Sequence, residues 1–207
     1  MTTLVTGFEP FGGSRTNSSE LVVTALGALG EPGIITAVLP TSYRRAEASI
    51  SDLLHAYRPR TVLMLGLAEG VDRICFEQVA LNLDQCSAPD NDGEVRLRRR
   101  IVEGAPVGYW SSLQFDRMAN AASELSEEVV FSHDAGCYVC NHAYFIAAHL
   151  LATEFPGSKC GLVHLPAVQR SDERLSRLVE IVRVWIAGSE GKVSKPFFKS
   201  FKGRCGA

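Results

Sequence analysis

Thr61–Leu67 reads Thr-Val-Leu-Met-Leu-Gly-Leu, an almost wholly apolar run with no alternation between its two faces. A strand with that pattern needs cover on both sides, as strands inside parallel sheets have. The rest of the chain supplies the cover. Leu4–Thr6 and Ile34–Leu39 read as further strands. Between them a segment capped by Asn17 or Ser18 carries Leu21, Val22, Ala25 and Leu29 at helical spacing. Tyr43, Ala46, Ile50, Leu53, Leu54 and Tyr57 recur in the same way until Arg58-Pro59-Arg60 ends that helix. Strands are expected at Ile74–Asp84, Glu128–Phe131 and Gly161–Leu165. Helices are expected at Asp116–Leu125, at Asn141–Phe155, and from Ser171 to a stop at Gly188, the last with Leu175, Leu178, Val182, Trp185 and Ile186 on one face. Pro89–Gly93 is a turn signal, and residues 94–112 read as an irregular excursion or a hairpin.

Strands interleaved with helices predict an α/β protein: a three-layer α/β/α sandwich around a mixed, mostly parallel sheet. Sites in such folds sit at the carboxyl ends of strands. The 207 residues suit one domain over 1–207, closed by a tail from Glu190 that carries several lysines and Phe197, Phe198 and Phe201. Lys plus Arg number 21 against 23 Asp plus Glu, a net charge of -2. Nucleic-acid binders usually show a basic excess, so that class is disfavoured. No segment reaches the roughly 18 apolar residues of a membrane helix. The first residues lack a basic leader and read as a strand, so a cytoplasmic location and free thiols at the six cysteines are expected.

Three residues stand out chemically. Cys140 precedes the strongly apolar helix expected from Asn141, where unpaired amide N–H groups favour a thiolate and can hold an oxyanion. His164 leaves a short apolar strand, where a base can project. Glu77 interrupts the apolar alternation of Cys75–Leu83 and would share a face with Val79, Leu81 and Leu83. A carboxylate buried there needs a cation or donors, and an imidazolium is a natural partner. Together they form a nucleophile, a base and an orienting acid. Each has a bland alternative: a small core thiol, a structural histidine, a strand-end carboxylate. Cys137 and Cys140 also make a C-x-x-C at a helix start, the placement of a dithiol redox site. With His133 and His142 the same cysteines compose a weaker metal-ligand set. Phe8 and Phe11, in the loop Gly7–Gly13, can wall a small apolar pocket or simply plug the sheet. Arg96–Arg100 reads as solvated surface.

Three stretches in order resemble the pyroglutamyl peptidase I family of cysteine peptidases: Thr6–Gly13, Glu77–Asn82 with Pro89-Asp90-Asn91, and Ala135–Asn141 followed by His164-Leu165-Pro166. The resemblance covers most of the chain and implies a cytosolic hydrolase that removes N-terminal pyroglutamate (5-oxoproline) from peptides without a cofactor, as a homodimer or homotetramer. It implies that Cys140 attacks, His164 shuttles the proton and Glu77 orients His164. Phe8 and Phe11 would sandwich the flat ring, and Leu67, Tyr138 and Val139 would complete the substrate site. Ser87 and Ala88 depart from the arginine and larger aliphatic usual in the family, Val71 from an arginine and Cys137 from a threonine. Those departures frame the alternative of a divergent homologue with altered specificity or no catalysis.

Overall fold

A computed structural model describes residues 2–189; the tail from Glu190, with its phenylalanines and Cys205, lies outside the described residues. Ten strands and five helices follow one another there: β1 (Thr3–Phe8), α1 (Ser18–Leu29), β2 (Ile34–Leu39), α2 (Tyr43–Tyr57), β3 (Thr61–Leu67), β4 (Ile74–Glu77), β5 (Val79–Leu81), β6 (Asp84–Cys86), β7 (Arg96–Arg99), β8 (Gly108–Trp110), α3 (Asp116–Glu124), β9 (Val129–Ser132), α4 (Val139–Thr153), β10 (Lys159–Leu165) and α5 (Glu173–Ser189).

The main sheet has six strands in the order β2-β1-β3-β10-β4-β9. Every neighbouring pair is parallel except β10 with β4. As expected for a run without alternation, β3 is central, and Val62, Leu63, Met64 and Leu65 are all fully buried. Its two faces feed separate cores. Met64 and Val62 join Leu4, Leu162 and the apolar sides of α2 and α4, while Leu63 and Leu65 join Val5, Val163 and the buried sides of α1, α3 and α5. Both faces are thus helix-covered, giving the expected sandwich.

Local chemistry explains the boundaries. Asn17 caps α1 by accepting from the Ser19 N–H at 3.0 Å, and Ser42 caps α2. Arg58 ends α2 in the left-handed region at φ 44°.

Several expectations need correction. The buried stripe of α1 is Leu21, Val22, Val23 and Leu26, while Leu29 is half exposed. No single strand spans 74–84. The chain leaves the main sheet after Glu77; β5 then pairs with β8 and β6 with β7 as two small antiparallel ribbons. The alternation used to single out Glu77 therefore does not continue past it: Ala80 is the buried residue of β5, whereas Val79 and Leu81 are half-buried. α4 begins two residues before Asn141, at Val139, and α5 continues through Gly188. Arg96 is not solvated. It is 5% exposed and donates to Asp84 at 2.9 Å, while Leu97 to Arg100 do face solvent.

Candidate active site

Strand register brings the first two site residues together. His164 lies opposite Gly66 in the parallel β3–β10 pair, and Leu162 lies opposite Glu77 in the antiparallel β10–β4 pair. Glu77 is thus the diagonal neighbour of His164 on one face, a separation that long side chains span. His164 Nδ1 donates to Glu77 Oε1 at 2.9 Å. Both residues are buried, at 8% and 2% exposure.

That bond turns the opposite edge of the imidazole towards the Cys140 thiol, which lies beside it over Gly66. Gly66 measures how closely the pair is packed. A Cβ at this position would stand 2.6 Å from His164 Cδ2, 2.8 Å from Nε2 and 3.3 Å from Cys140 Sγ. Ring and thiol share the space over the one residue of β3 that has no side chain. Burial works against charge on His164, but the hydrogen bonds and negative charges of Cys140 and Glu77 outweigh it and raise the imidazole to about 9.

Cys140 is the second residue of α4. Tyr138 takes the N-cap position in extended conformation and supplies no side-chain cap. The first-turn amides, at the positive end of the helix, are therefore available to a negative oxygen beside the thiol. Asn141 fixes this turn to the ribbon beneath it. Its amide accepts from Leu81 N at 2.9 Å and donates to the carbonyls of Leu81 and Leu83 at 2.9 and 3.1 Å.

The expected substrate residues occupy unequal places. Phe11 is half-buried, with its ring 5.8 Å from that of Tyr138. Phe8 ends β1 with no exposed surface and packs in the core. Leu67 ends β3 half-buried, and Val139 opens α4 fully buried. A strap formed by residues 84–99 lies over the Phe11–Tyr138 pair: Tyr138 Oη donates to Pro89 O and Asn91 Nδ2 donates to Pro10 O, both at 2.9 Å.

The other expected constellations are used differently. All five described cysteines are free thiols. Burial, Asp134 and Asp84 push the Cys137 thiol up, away from the thiolate that a dithiol exchange site requires. His142 is taken by Asp84 and Glu47, and His133 packs edge-on against Trp110. A polar cavity of about 360 Å³ opens at the start of β4 and β9, at the far end of β4 from Glu77, and its Arg174 is ion-paired to Glu127 and Asp72.

Sequence reasoning missed Gly66, Asn141 and Asp84. Gly66 did leave a signal, since a glycine inside a strand often marks close approach of another group. Asn141 and Asp84 left none, because their roles depend on a ribbon that reads as one continuous strand.

The sequence profile of the pyroglutamyl peptidase family matches residues 1–174. The pyrrolidone-carboxylate peptidase of Levilactobacillus brevis is 34% identical over 189 residues, covering 88% of this chain and 93% of its own. That of Pyrococcus furiosus is 32% identical over 170 residues, covering 81% and 82%. This chain belongs to the pyroglutamyl peptidase family. The crystal structure of pyroglutamyl peptidase I from Bacillus amyloliquefaciens superposes with a TM-score of 0.83 at 26% identity, covering 90% of this chain and 93% of that one. Most of α5 lies beyond the family match, yet it completes one layer of the sandwich.

Proposed function

We propose that this protein is a cysteine exopeptidase that hydrolyses the bond after an N-terminal pyroglutamyl residue. The observation that carries the reading is the buried chain of contacts from Glu77 through His164 to Cys140. In this reading Cys140 Sγ, as thiolate beside a protonated His164, attacks the pyroglutamyl acyl carbon. The carbonyl oxygen becomes an oxyanion received by the first-turn amides of α4. His164 Nε2 then gives its proton to the leaving amine, the C–N bond breaks and a thioester remains. Water attacks the thioester while His164 takes its proton. The C–S bond breaks, releasing 5-oxoproline and restoring the thiolate. Glu77 keeps the ring in the required tautomer throughout.

The lactam ring is flat and uncharged, so an aromatic slot with a few backbone hydrogen bonds suits it. Phe11 and Tyr138 are the walls, with Leu67 and Val139 at its base and Phe8 packing the core behind it. The occupant is a peptide with N-terminal pyroglutamate. No described helix is long and apolar enough to cross a membrane. We place the protein in the cytoplasm, as one domain over 1–207. Half-exposed Phe131 on the edge strand β9, together with exposed Trp110, favours a homodimer or homotetramer, which light scattering tests.

The activity test is release of fluorophore from a pyroglutamyl amide by the reduced protein. Cys140→Ala should lower it by at least about a thousandfold while the fold persists. Release that survives in Cys140→Ala overturns the mechanism. A folded, reduced wild type that releases nothing returns the chain to the divergent, non-catalytic reading.

A further inference from the structure

A second histidine–carboxylate pair lies behind the slot, and the mechanism above does not use it. His142 is 1% exposed and Asp84 fully buried. His142 Nδ1 approaches both Asp84 oxygens, at 3.0 and 3.1 Å. Its Nε2 faces Glu47 Oε2 of α2 at 3.4 Å. Arg96 reaches the same Asp84 carboxylate at 2.9 Å, bonds Glu94 at 2.8 Å and lays its guanidinium over the Tyr43 ring at 4.5 Å. β6, β7 and α4 therefore meet at one buried carboxylate, and α2 joins them through Glu47 on His142.

The position of this cluster gives it a role. Asp84 and Arg96 belong to the two paired legs of the strap, β6 and β7, and its crest meets the slot through Pro89 and Asn91. A contiguous row of rings connects them to the same place: His142 to Tyr43 at 5.4 Å, Tyr43 to Tyr138 at 5.8 Å, and Tyr138 to Phe11 at 5.8 Å. Asp90, next to the crest, accepts from the Tyr43 N–H at 2.9 Å. His142 and Cys140 are two residues apart on α4, so they point to opposite sides of the helix. Cys140 is aligned by Gly66 and His164 on the sheet, and His142 is aligned by the strap and α2. The two alignments use different neighbours.

We propose that Asp84, His142 and Arg96 are positioning residues for the substrate slot: they anchor the legs of the strap so that Tyr138 and Phe11 hold the lactam ring, and they act on substrate binding rather than on the chemical step at Cys140. Removing His142 leaves Asp84 buried with Arg96 as its remaining cation, and a buried carboxylate stripped of a partner drives rearrangement around it. Asp84 and Arg96 both belong to the strap, so the strap is where that rearrangement falls.

This inference rests on the pyroglutamyl reading, and its test separates the two. Kinetics on the pyroglutamyl reporter are paired with calorimetric binding of 2-pyrrolidone, the bare lactam, to wild type, His142→Ala, His142→Asn and Asp84→Asn. The asparagine at 142 keeps a donor near the Nδ1 position. His142→Ala and Asp84→Asn should raise KM by about tenfold with kcat within about threefold of wild type. The lactam affinity should fall in parallel, and His142→Asn should recover most of both losses. Unchanged KM and lactam affinity, or a fall in kcat alone, overturns the positioning role while leaving the peptidase intact. If His142→Ala does not fold, Asp84→Asn decides, and wild-type KM and lactam affinity in that variant overturn the positioning role. A wild type that neither cleaves the reporter nor binds the lactam overturns the underlying reading instead.

Discussion

A methyl group at residue 66 would occupy the space where the His164 ring and the Cys140 thiol meet. Gly66→Ala is therefore expected to lower kcat by about a hundredfold, because displacement of reacting groups by about an ångström is enough to lose alignment. Stopped assays across substrate concentration measure it, and wild-type kcat in this variant would show that the ring and thiol are not so confined. The charge on His164 makes a second expectation. Its folded value of about 9 lies above its ordinary 6.5. The stability it contributes is complete below about 6.5 and disappears as pH rises through about 9. Melting temperature should decline across that window, and kcat/KM should show an alkaline limb near 9. Glu77→Gln should move both to lower pH, which a pH series on the two proteins reads directly. Much of this centre is legible from residue types. Residue types alone put a thiol at the start of an apolar helix and a histidine at the end of an apolar strand, and the structure has Cys140 in the first turn of α4 and His164 one residue before the end of β10. Glu77 does meet His164, but the reason for singling it out does not hold, since burial in β4 and not alternation along Cys75–Leu83 is what isolates it.

Elements are legible to the extent that one period runs through them. β2 and β3 match their apolar runs to the residue, whereas the chain between Glu77 and Trp110 does not announce its two ribbons. Those ribbons are held by side chains reaching backbone rather than by a hydrophobic pattern. Asn82 accepts from the N–H groups of Ile101 and Val102 and donates to the carbonyls of Val102, Ala105 and Pro106, tying a long connection into place. Asn141 does the same between α4 and β5. Losing such a residue leaves buried backbone groups unpaired, at about 1–3 kcal/mol each. Asn141→Ala should therefore cost about 3 kcal/mol of stability, measured by urea unfolding, and a loss below about 0.5 kcal/mol would mean that water replaces the amide without penalty.

For the whole molecule, the family match ends at residue 174 but the fold does not. Leu178, Ile181, Val182, Trp185 and Ile186 of α5 are buried against α1, α3 and the sheet, and Trp185 Nε1 donates to Gln114 O at 3.0 Å. At about 2 kcal/mol for each such side chain, α5 contributes on the order of the entire net stability of a domain. A chain stopped after Arg174 should fail to fold, which circular dichroism and solubility report; a cooperative melt in that truncation would contradict this account. The strand order has one more consequence, for the time course of synthesis. β10 is the final strand of the main sheet to be made, yet it lies between β3 and β4, both completed many residues earlier. A nascent chain emerging from the ribosome must therefore keep a gap in its sheet, with two unsatisfied strand edges facing each other, until residues 159–165 arrive to fill it. The strand that fills the gap also carries His164, so a chain translated only to the end of α4 holds Cys140 without its imidazole partner, and on the proposed mechanism it cannot act on its surroundings before its own sheet is closed.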